Sequence, residues 1–300
     1  MRCPGKYCGI RTEPVANNSF CGPCPWGYRV NPNSFVCDPC RHELVWHDYM
    51  YLAFVTVLPA LIHSVYHEVT TGKVSTSKLW PIYYVFVILE TAVSILLSIL
   101  ILPPVGSFQL YACGVQEFSD WYPMFSNPTL HSQQTLHCSQ EIVYPLYSLP
   151  FIFYAIWFLF SVCVRPLIGL RLNAEAIGAI GPSLYFCPLI IIVHAICAGL
   201  IYYSFPYLVV ILSLLINALL LANFPVQTVR GLISIMMDEP KQLFLLLALL
   251  FINALGVLSL FGSTPDIRQI WVFIVVPAPV IFYVITVPFT DPAKLTASNH

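Results

Sequence analysis

Pro81–Leu102 reads P-I-Y-Y-V-F-V-I-L-E-T-A-V-S-I-L-L-S-I-L-I-L, an apolar run broken by one ionisable residue, Glu90. A helix needs about 20 such residues to cross roughly 30 Å of hydrocarbon, so this run has the length of one crossing. Six comparable runs flank it: Tyr49–His67, Tyr144–Val164, Ile177–Tyr203, Tyr207–Phe224, Leu243–Phe261 and Ile270–Phe289. The whole chain fits the pattern. Of its 300 residues 58% are hydrophobic and 9% charged, with a mean hydropathy of +0.78, against about 25% charged in soluble proteins. The expected fold is an all-α membrane protein of seven transmembrane helices. A net charge of −1 gives no basic face for nucleic acid.

The fourth and fifth runs are separated only by Ser204-Phe205-Pro206, which predicts a tight helical hairpin. Prolines inside spans, at Pro59, Pro182, Pro188, Pro277 and Pro279, are tolerated where neighbours bond the backbone groups that proline frees.

Loop charge sets orientation. Among the loops and tail, Lys73, Lys78, Arg165, Arg171, Arg230, Lys241 and Lys294 fall on one side and Arg268 alone on the other, which also carries the Lys- and Arg-free loop Pro103–Ile142. The N-terminal Arg2, Lys6, Arg11, Arg29 and Arg41 dissent, but only Arg29 and Arg41 lie within about 20 residues of the first run, where the rule operates. The basic side is expected to be cytosolic, with the N-terminus lumenal. The organisation expected is a cysteine-rich lumenal head at 1–48, a seven-helix region at 49–289 containing the lumenal loop 103–142, and a cytosolic tail at 290–300.

Cys3, Cys8, Cys21, Cys24, Cys37 and Cys40 crowd the head, the last four spaced C-x2-C-x12-C-x2-C. That spacing suits zinc or disulfides. An oxidising compartment favours disulfides, and six cysteines leave 15 pairings open. A further disulfide, Cys113–Cys138, is expected to close the long loop. Asn17-Asn18-Ser19 is a glycosylation sequon, placing the acceptor at Asn17.

Ionisable residues inside a membrane are functional candidates by default. Here they are Glu90, His63 and His67 at i,i+4 spacing, and His194. Gathered together they would form the metal site of a seven-helix hydrolase; read singly, Glu90 is a neutral, hydrogen-bonded packing element facing His63 or an Asn. No nucleophile elbow, phosphate loop or H-E-x-x-H motif occurs, so no cofactor and no catalytic residue are expected. A cell-surface receptor sensing ligand through its head is a further alternative.

Several longer words carry a resemblance: Tyr7-Cys8-Gly9; Cys21-Gly22-Pro23-Cys24-Pro25; Asp48-Tyr49-Met50-Tyr51-Leu52; Asp120-Trp121-Tyr122; His137-Cys138; Val143-Tyr144-Pro145-Leu146-Tyr147; Arg165-Pro166-Leu167; and Tyr202-Tyr203-Ser204-Phe205-Pro206-Tyr207. In these the chain resembles the JNK-associated membrane protein family. The resemblance implies a multi-span endoplasmic-reticulum adaptor. Such a protein recruits the proteasome and ER-associated degradation components, membrane ubiquitin ligases among them, and influences the duration of stress-kinase (JNK) signalling.

Overall fold

A computed structural model describes residues 3, 6–11, 20–71, 80–103, 105–125, 138, 141–172, 181–222 and 240–259, with isolated positions between 230 and 285. Asn17, most of Pro225–Gln242, most of Ile270–Phe289 and the tail 290–300 lie outside the described residues.

The head is built from short antiparallel pairs. β1 (Cys8–Ile10) pairs with β2 (Cys21–Pro23), and β3 (Tyr28–Val30) with β4 (Cys37–Pro39). β5 (His42–Glu43) pairs with β6 (Tyr111–Ala112) of the long loop. Isolated two-stranded pairs of two or three residues are marginal at best in water; covalent links hold them here. Cys3–Cys21 and Cys24–Cys37 staple the head internally, whereas Cys8–Cys138 and Cys40–Cys113 tie it to the loop. The expected Cys113–Cys138 bridge is therefore corrected: both cysteines take partners in the head, because the β5–β6 pairing draws the loop across it. Gly9 is required by the second staple, since a Cβ there would lie 2.5 Å from Cys37 Sγ and 2.9 Å from Cys24 Sγ.

The two cross-links also fix a relation between the spans. α1 (Trp46–Thr71) and α2 (Trp80–Ile101) both lie between Cys40 and Cys113, so the chain leaves the disulfide-rich face and returns to it. After the loop and a 3-10 turn (Phe118–Trp121) come α3 (Ser148–Leu159), a π-helical turn (Phe160–Val164) and α4 (Arg165–Leu172). α5 (Gly181–Ala222) and α6 (Pro240–Ser259) follow.

Among the described residues, four helices are long and apolar enough to cross a membrane: Trp46–His67, Pro81–Ile101, Ser148–Leu172 and Leu184–Leu215. A shorter apolar segment covers Leu246–Ser259. The seven expected runs thus reduce to these five elements, one holding two runs, with the last run mostly outside the described residues. The two helices expected on either side of Ser204-Phe205-Pro206 are joined without a break, since α5 is helical throughout.

Contacts along α5 nevertheless change sense at this point. Phe186 packs on Tyr66 near the far end of α1, His194 on Tyr51, and Tyr202 bonds Asp48 near its start. Past Pro206 the order runs back: Val209 lies against Gly256 and Ser213 against Asn253, moving away from Ser259, which sits beside His47. One arm of α5 climbs towards the disulfide-rich face and the other descends.

Two interior prolines find the same remedy. Proline has no N–H for the carbonyl four residues back. Pro59 so frees the Val55 carbonyl, which accepts from Tyr154 Oη at 3.3 Å. Pro206 frees the Tyr202 carbonyl, which lies 3.2 Å from His47 Nε2. Neighbouring helices thus re-satisfy backbone groups that lipid cannot.

Candidate functional site

The most unusual chemistry inside the bundle gathers where α1, α2 and α4 meet. Glu90 of α2 and Arg165 of α4 form a salt bridge with side chains 2% and 1% exposed. The other guanidinium nitrogen of Arg165 meets His63 Nε2, and Ser161 Oγ donates to the same carboxylate at 3.4 Å. A guanidinium only donates, so His63 accepts through Nε2 and carries its proton on Nδ1.

The local backbone is part of this arrangement. The π-helical turn Phe160–Val164 stands immediately before Arg165. Insertions of this kind often mark functional positions. Here the turn carries Ser161 and is followed at once by Arg165, so both reach Glu90. The rings of Trp157 and Tyr83 wall the cluster at 5.9 and 6.2 Å from His63.

The four candidates for a metal do not converge. His63 and Glu90 both face Arg165, a cation already in the place a metal would need. His67 packs on Tyr83 with ring centres 4.4 Å apart. His194 sits apart, among the rings of Tyr51, Tyr147, Phe151 and Tyr154 at 5.0–6.4 Å. Among the described residues no group of three or more His, Cys, Asp or Glu side chains could hold a metal ion.

Arg165 is the residue that sequence reasoning misassigned. It was expected as a loop charge on the basic side, but it is buried within a continuous helical stretch and is removed from that count. Its spacing from Ser161 was the available signal, because i,i+4 positions share a helix face.

A second polar centre joins head to loop. Asp120 Oδ2 takes Arg29 Nη2 at 2.8 Å and the amides of Gln116 and Glu117 at 3.0 and 3.1 Å, and Oδ1 takes Tyr7 Oη at 3.2 Å. Burial alone would raise this carboxyl, but the amide donors and Arg29 outweigh it and hold it below the ordinary range. Arg29 also donates to the Gly114 carbonyl at 2.7 Å. Beside this junction, Arg29, Asn31, Asp38, His42 and Val115 line a cleft of about 330 Å³ walled by the Cys40–Cys113 bridge.

A sequence profile described as JNK1/MAPK8-associated membrane protein matches residues 3–292. The chain belongs to this family. The JNK1/MAPK8-associated membrane proteins of Homo sapiens and Mus musculus are each 31% identical to it, covering 99% of this chain and 96% of theirs. A Caenorhabditis elegans protein named as a homolog of the JNK1/MAPK8-associated membrane protein is 32% identical over 91% of this chain and 84% of its own length. No solved structure matches. In this member of the JNK1/MAPK8-associated membrane protein family, the described site is one of ion pairing and covalent cross-linking.

Proposed function

We propose that the chain is a non-enzymatic adaptor of the endoplasmic-reticulum membrane that brings proteasome and ER-associated degradation components, membrane ubiquitin ligases among them, to misfolded proteins. The observation that carries this reading is family membership across residues 3–292. An ER location is further supported by the four disulfides, which belong to an oxidising compartment. The head and the 103–142 loop then face the lumen, with the C-terminus cytosolic. Association with a JNK-type kinase follows from the relatives' names and would use the cytosolic face.

The test uses the full chain in cells. Depleting it should lengthen the half-life of a misfolded lumenal reporter and reduce the proteasome subunits recovered with microsomes; re-expression should restore both. An unchanged half-life together with undiminished proteasome recovery would refute the adaptor role. An endoglycosidase-H-sensitive glycan at Asn17, lost in Asn17→Gln, checks lumenal placement separately.

A further inference from the structure

α1 opens with Trp46-His47-Asp48, and all three side chains reach into other helices. Trp46 Nε1 donates to the Leu258 carbonyl at 3.1 Å, and Asp48 accepts from Tyr202 Oη at 2.6 Å. His47 lies between them with both ring nitrogens on carbonyl oxygens: Nδ1 on Ser259 and Nε2 on Tyr202, each at 3.2 Å.

Both contacts are to main-chain oxygens, and one of these has lost its helical donor. The Tyr202 carbonyl is the one that Pro206 leaves free. A carbonyl can only accept, so each contact needs an N–H from the ring. A neutral imidazole has one N–H and sets its other nitrogen's lone pair against an oxygen; the doubly protonated ring has two.

We propose that His47 is a proton-operated clamp at the disulfide-rich face, joining Ser259 of α6 to the turning point of α5 when its ring carries both protons and, when it carries one, keeping that N–H on the Tyr202 carbonyl and releasing Ser259. Histidine is the side chain that changes charge in the near-neutral range, so the clamp reads the acidity of the compartment bathing that face. The groups facing the ring are Asp48 from α1 and Tyr202 from α5. Phe205 packs on the ring at 4.9 Å, and α6 presents the Ser259 carbonyl there. This proposal stands on that geometry and holds whether or not the chain is an adaptor.

The test is a distance measurement on the full chain in lipid nanodiscs. Spin labels are placed at Val45→Cys and Leu258→Cys, with Cys163, Cys187 and Cys197 changed to Ser. Between pH 5.5 and 8 the ratio of long to short separations should rise roughly tenfold, the fold-change corresponding to about 1.4 kcal/mol. His47→Arg, which keeps several N–H donors at every pH, should hold the short separation throughout. His47→Gln, with one amide oxygen in place of a donor, should show the long one throughout. Separations that ignore pH in the unsubstituted chain overturn the proposal. So does a pH response that survives in His47→Gln or, if that variant does not fold, in His47→Arg.

Discussion

Removing either half of the Glu90–Arg165 pair should have unequal consequences. Both side chains are almost wholly excluded from water, and breaking such a pair costs about 3–5 kcal/mol because it strands a buried charge. The two strandings differ. Glu90→Gln leaves a guanidinium that cannot be neutralised, with His63 and the new amide as its remaining partners, so the full 3–5 kcal/mol is expected. Arg165→Met leaves a carboxylate that can take up a proton and still accept from Ser161, so the cost falls to about 1–3 kcal/mol. Replacing both, with Glu90→Gln and Arg165→Met together, should be milder than Glu90→Gln alone, since the stranded cation has gone. The assay is thermal unfolding in nanodiscs, followed by maleimide labelling of Cys187, which is free and buried. Unfolding temperatures should rank the original chain above Arg165→Met, with Glu90→Gln lowest. Equal losses for the two single variants, or a double variant no better than Glu90→Gln, would refute the reasoning.

Other consequences are as direct. Burial lifts the Glu141 carboxyl from 4.5 to about 7, against the pull of the Ser148 amide. A folded-state value raised in this way costs nothing below pH 4.5 and about 3 kcal/mol once the group is ionised above pH 7. Stability should therefore fall across that window, and Glu141→Gln should flatten the fall in a pH series of denaturation curves. Gly199 of α5 faces the loop's aromatic turn, where a Cβ would lie 2.9 Å from Trp121 Cγ. Gly199→Ala should cost about 1–3 kcal/mol and make the loop more sensitive to protease, which partial digestion reads. Peptide mapping without reductant should recover Cys8 linked to Cys138 and Cys40 to Cys113. Cys8→Ser with Cys138→Ser should lose about 4–5 kcal/mol, as expected for so long a closed segment.

Much of the architecture was legible because lipid imposes a length and a composition on every crossing. The runs around Pro81–Leu102 and Tyr49–His67 became helices within a few residues of their expected ends. Arg165 was not legible. An arginine next to a proline at the end of an apolar run looks like the start of a loop, and only α4, continuing to Leu172, shows it facing inward. Glu90 was recognisable as out of place, but its partner lay 75 residues away. The cysteines were legible as disulfides and illegible as pairs, because connectivity depends on how the head and loop meet. The turn in α5 was visible at Pro206, though the helical hydrogen-bond pattern runs on through it.

The two long cross-links constrain the order in which the molecule can be made. A ribosome releases Cys8 and Cys40 early, yet their partners emerge only after both α1 and α2 have been synthesised and the chain has come back to the same side of the bilayer. The head is thus sealed to the loop only after two helices have followed it. Until then Cys8 and Cys40 wait as thiols, open to wrong pairings or to capture by oxidoreductases. Once sealed, the first two helices belong to a covalent ring, and a single cut in the segment that joins them would leave both pieces tied together until a reductant arrives.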